Sequence, residues 1–136
     1  MKKFIPLILL FPFMMVSCTF EKGEVVAPVQ DCVNDSTIDV VNVAVEDNFF
    51  NPASITIVAG DTVKWTMNGA IPHTSTCDGT SGSTMPSGGT SWDSGVMTTA
   101  GDFYQQAITV PGNYTYVCIV HGSSMTGTIV VKPRCQ

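Results

Sequence analysis

The sequence predicts an all-β domain, a sandwich or a barrel, from three observations. Short β-branched stretches alternate in polarity, turns containing Gly or Pro separate them, and no capped helical period of useful length occurs beyond residue 17. The first stretch is DVVNVAVED (residues 39–47), where Val40, Val41, Val43 and Val45 partly alternate as a half-buried strand requires. Ile55-Thr56-Ile57-Val58 is the second, running into the turn Ala59-Gly60-Asp61. Thr62 to Thr66 resumes the alternation, with Val63 and Trp65 on one face. Residues 74–91 are rich in Gly, Ser and Thr and lack an apolar period, so a long surface loop is expected there. Trp92 to Met97 and Phe103 to Val110 can each supply short strands. The turn Pro111-Gly112-Asn113 precedes Tyr114 to Cys118, and Thr126 to Val131 closes the domain.

At 136 residues the chain is one domain by size. It opens with Lys2 and Lys3, then an apolar run of about a dozen residues, short of the ~20 that a bilayer requires. Residues 1–17 therefore read as a signal peptide. Val16-Ser17-Cys18 resembles the bacterial lipobox, which makes Cys18 the expected lipid-bearing residue, residues 18–38 a membrane tether and residues 39–134 the folded domain. The expected location is exported, periplasmic or at the cell surface, on a membrane. Loss of the two lysines takes the formal net charge from −5 to −7. That balance excludes nucleic acid as a partner, and the scattered acidic residues form no docking patch. A monomer is expected.

The segment that carries chemistry is Cys118-Ile119-Val120-His121-Gly122-Ser123-Ser124-Met125. A thiolate, an imidazole and a thioether lie within eight residues, between an aromatic strand and a Val-rich one, where one loop can turn all three toward a point. This donor mix selects copper, and two histidines and a cysteine with a weak axial methionine form the blue-copper set. The chain has one further histidine, His73, at the far end of the Trp65 strand.

Two runs carry a family resemblance. FFNPASITIVAGDTVKWTMNGAIPH (residues 49–73) resembles the first half of plastocyanin-like cupredoxins, and VPGNYTYVCIVHGSSMTGTIVV (residues 110–131) is similar to their second half. The resemblance spans nearly everything from Asp39 to Lys132 and implies a Greek-key sandwich or barrel of the cupredoxin type. It also implies a single type 1 copper held by His73, Cys118 and His121 with Met125 axial. Three residues separate His121 from Met125, as in azurins, whereas plastocyanins usually have four. In the resembled fold both ends of the domain lie opposite the copper, which pairs Cys32 with Cys135 and leaves Cys77, near the metal end, as a free thiol. Thr74 stands where family members often carry a hydrogen-bonding residue that ties the two ligand loops together.

The function implied is one-electron carriage between a donor and an acceptor protein, without catalysis. The alternative is a copper-binding or delivery protein. An apolar docking patch is expected around His121 from Ile71, Pro72, Gly122 and Met85-Pro86. Trp65, Phe103, Tyr114 and Tyr116 are assigned to packing, and Met67, Met85 and Met97 to core or surface positions.

Overall fold

A computed structural model describes residues 31–136. The signal peptide, the lipid site at Cys18 and the tether up to residue 30 lie outside the described residues. Those described form strands β1 (Val40–Glu46), β2 (Phe49–Asn51), β3 (Ser54–Val58), β4 (Thr62–Met67), β5 (Thr76–Cys77), β6 (Trp92–Asp93), β7 (Phe103–Ala107), β8 (Gly112–Cys118) and β9 (Gly122–Lys132), with no helix among them. One sheet runs β2-β1-β4-β7 and the other β3-β9-β8-β5-β6. The β1–β4 and β3–β9 pairs are parallel and the remaining pairs antiparallel.

Period-2 patterning does the sorting. Val43 and Val45 of β1, Ile55 and Ile57 of β3, Val63, Trp65 and Met67 of β4, and Ile129 and Val131 of β9 all turn into the space between the sheets. The Ala59-Gly60-Asp61 turn does not close a hairpin: β3 and β4 belong to different sheets, and the chain crosses between layers at Gly60, whose φ is +104°. In the core, Trp65 meets Tyr116 edge-on at 5.4 Å between ring centroids, with Trp92 also at 5.4 Å and Phe50 against Tyr116 at 4.6 Å. Tyr116 reaches β9 because residue 127 is glycine; a Cβ there would overlap its ring.

Three expectations need correction. Phe103 is not a core residue: it is 58% exposed on the outer face, with the Lys64 ammonium 4.4 Å from its ring centroid. Residues 74–91 are not all surface loop, because Thr74, Ser75, Thr76, Cys77 and Ser83 are buried and β5 lies within them. Met85-Pro86 does not join a patch around His121: Pro86 lies against Gly112, at the opposite end of β8 from Cys118, and Met85 packs partly buried against the core.

At one end of the sandwich Cys32 and Cys135 form a disulfide, as the resemblance implied. Val33 and Arg134 form a bridge beside it, and Asp61, nearly buried, accepts from Arg134 Nη2 at 3.0 Å and from the amides of Asp39 and Val58. The segment read as a tether is therefore fastened to the domain from Cys32 onward.

Candidate metal centre

The opposite end gathers the sequence-predicted ligands. β4 exits into Asn68-Gly69-Ala70-Ile71-Pro72, and His73 is then locked in place by a pair of backbone hydrogen bonds with Met97, at 3.1 and 2.8 Å. The His73 side chain is fully buried. Cys118 ends β8 just after a register shift between Val117 and Cys118, and both residues are buried although adjacent. A bulge of this kind re-aims a side chain, and here it turns the cysteine sulfur inward at the sandwich rim. The chain then folds back within three residues, with the His121 amide donating to the Cys118 carbonyl at 3.1 Å and Ser124 Oγ donating to the His121 carbonyl.

These turns place Cys118 Sγ 3.7 Å from His73 Nδ1 and 3.4 Å from His121 Nδ1, with the imidazole centroids 4.7 Å apart. One ligand atom from each of the three residues lies within 4.8 Å of the others. A thiol has one proton and cannot donate to both imidazoles at once. A metal ion satisfies all three: bonds of about 2.0–2.1 Å to imidazole nitrogen and about 2.3 Å to thiolate, spread at about 120°, put nitrogen and sulfur about 3.8 Å apart. Burial pushes the His73 imidazole below the ordinary histidine value, against the opposing pull of Asp47. A neutral ring with its proton on Nε2 offers the Nδ1 lone pair to the cluster.

The surroundings hold the sulfur still. The Thr74 amide points at Cys118 Sγ from 3.3 Å, and the Ile119 amide donates to Thr74 Oγ1 at 2.9 Å. Thr74 thus joins the two ligand loops, as the sequence suggested. Its hydroxyl lies 3.1 Å from that of Thr76, which donates to Asp93 Oδ1 at 3.0 Å. Met125 is buried near the start of β9, the strand paired with β8.

The family described as copper binding proteins, plastocyanin/azurin family, matches residues 39–132. The chain belongs to this family. It is 34% identical to plastocyanin from Scenedesmus fuscus over 87 residues, covering 61% of this chain and 86% of the other. An oxidized amicyanin variant shares the fold at a TM-score of 0.56 and 23% identity, over 68% of this chain and 81% of its own. The copper-containing nitrite reductase from Thermus scotoductus shares it at 0.56 and 24% identity over 67% of this chain, which spans 22% of that protein. Copper is accordingly the cofactor of this family member, and the cluster of His73, Cys118 and His121 has the donors and spacing of a type 1 site.

Two features of the site escaped the sequence. Asp47, in the turn after β1, accepts from the amides of Ala70 and Ile71 and lies 3.6 Å from His73 Nε2, but no period or motif marks an aspartate 26 residues upstream. Ile119 and Val120, inside the ligand loop, are about half exposed and lie between Cys118 and His121. Their apolar character was the available signal. Cys77 takes no part: its buried thiol faces the carbonyls of Thr84 and Thr115, and burial together with the Asp78 charge raises it to about 11.

Proposed function

We propose that His73, Cys118 and His121 hold one copper equatorially, that Met125 supplies the weak axial sulfur, and that the protein carries single electrons between redox partners. The observation that carries this reading is the convergence of both imidazole Nδ1 atoms on one buried sulfur. Bound there, copper supplies a one-electron couple. The chain's own part is to hold the donors in one arrangement for both oxidation states, through the Met97 bridge to His73 and the Thr74 link to the Cys118 loop. His121 is half-buried, and Ile71, Ile119 and Val120 beside it in the ligand loops are exposed, which supports docking of a partner over this rim.

With all four donors protein-derived, no position is left for a substrate, and the carrier reading is favoured over an enzyme. The disulfide supports an oxidising, exported setting, and anchoring through a lipid on Cys18 is part of the proposal. Partition of the wild-type protein into the membrane fraction, and its release by Cys18→Ser, tests the anchor; equal partitioning of the two rejects it.

Cu(II) titration tests the site. The wild type should develop an intense thiolate-to-copper band that Cys118→Ser abolishes, and Met125→Gln should keep the band but lower the reduction potential, because an amide oxygen stabilises the oxidised ion. A coloured Cys118→Ser protein removes the sulfur from the site, and an unmoved potential in Met125→Gln removes the thioether.

A further inference from the structure

Asp47 is tied to the His73 loop at three points. Its Oδ1 accepts from the Ala70 amide at 2.7 Å and the Ile71 amide at 3.2 Å, and the same oxygen lies 3.6 Å from His73 Nε2. That nitrogen is buried and has no partner at full hydrogen-bond distance. An orphaned buried N–H is costly, and 3.6 Å leaves no room for an intervening water. The approach is built into the chain: Gly69 sits where any Cβ would overlap Asp47 Oδ1 and crowd the Asp47 amide. Its φ lies outside the left-handed region, so close approach and not backbone conformation requires the glycine.

We propose that Asp47 is the positioning residue of the metal centre, which fixes the His73 ring through Nε2 and, by its negative charge, biases the site toward the oxidised ion. This rests on His73 being a copper ligand. A metal-bound imidazole typically donates its other N–H to a carboxylate or carbonyl, and the partner sets both the orientation and the basicity of the ring. A carboxylate does this with a full charge and so stabilises the more positive oxidation state. Its side chain is 46% exposed, which screens that charge in part and keeps the effect moderate.

Asp47→Asn removes the charge and keeps an oxygen for the Ala70, Ile71 and His73 donors. The copper-loaded variant should favour Cu(II) over Cu(I) about tenfold less than wild type. For a one-electron couple that is a rise of about 59 mV in reduction potential, and competition against a Cu(II) chelator should show the same tenfold weakening. A potential equal to that of the wild type overturns the proposal and leaves Asp47 with loop folding alone, whatever the unfolding midpoint does. Should Asp47→Asn not fold, Gly69→Ala decides: its Cβ displaces the carboxylate with the charge intact, and a rise of the same sign sustains the proposal while no rise overturns it. A wild-type protein that gives no thiolate-to-copper band fails the ligand reading itself and takes this inference with it. A normal band with an unmoved variant potential removes only the role of Asp47.

Discussion

The two ends of the sandwich are held by different chemistry. At the closed end a disulfide joins Cys32 to Cys135, and Arg134 binds Asp61, the Ala59 carbonyl and the Asp35 carbonyl. At the metal end no covalent link or lysine–carboxylate pair appears among the described contacts. Threonine hydroxyls, backbone amides and one aspartate do the holding. β8 and β9 run the length between, from the Gly112–Val131 pair at the closed end to Cys118–Gly122 at the metal. The closed end resists unfolding of the chain, whereas the metal end must fix a few donor atoms without surrounding them with mobile cations. Short side chains hydrogen-bonded to backbone amides do that with little cost in side-chain entropy.

The largest effect expected from breaking this contrast comes from the disulfide. Its cysteines are 103 residues apart in sequence, and the chain-entropy account gives about 4.7 kcal/mol for closing a loop of that size. A Cys32→Ala, Cys135→Ala protein should lose about that much in urea unfolding. Its copper spectrum should be unchanged, because β8 separates the two ends by about 20 Å at 3.3 Å per residue. A spectrum that changes with the disulfide would show that the ends are coupled.

How much of this could be read beforehand differs between the ends for the same physical reason. Candidate ligands announce themselves by residue type, so His73, Cys118 and His121 stood out in the sequence and meet in the structure. Alternating apolar residues likewise marked β1, β3, β4 and β9. Hydrogen-bonded polar groups carry no such mark. Ser75 and Thr76 looked like solvated loop, yet they are buried; Ser75 Oγ accepts from the Trp92 indole N–H, and the Ser75 amide donates to Ser94 Oγ. A buried serine is inexpensive once paired, and its partner lies 17 or 19 residues away in the chain. β2, with three residues, is too short to show a period.

An intermediate effect is expected from Thr74→Val. Valine has nearly the shape of threonine but leaves the Ile119 amide without its acceptor, a loss of about 1–2 kcal/mol. For a domain of this size that lowers the melting temperature by roughly 4–8 °C per kcal/mol. Unlike the disulfide variant, this one should also shift the reduction potential, since the released loop carries Cys118 and the Thr74 amide faces its sulfur. A stability loss with an unmoved potential would show that the loop is held elsewhere.

The smallest effect should come from the most exposed ion pair of the closed end. Lys132 Nζ lies 2.9 Å from Asp31 Oδ2, closer than many strong pairs, but the side chains are 38% and 86% exposed. Arg134 and Asp61 are 20% and 5% exposed at 3.0 Å. Exposed partners give up side-chain entropy for an attraction that water and salt screen, so such pairs contribute between nothing and about 1 kcal/mol. Asp61 by contrast keeps two backbone donors and the guanidinium in a nearly dry setting, where losing one partner strands the rest. Lys132→Gln should therefore change the unfolding free energy by less than about 0.5 kcal/mol, with no dependence on added salt beyond that of the wild type. A loss of 2 kcal/mol or more, on the scale of a hydrogen bond to a charged group, would mean that charge pairing as such, and not burial, fastens this end, and that Asp31 belongs to the folded body with Cys32.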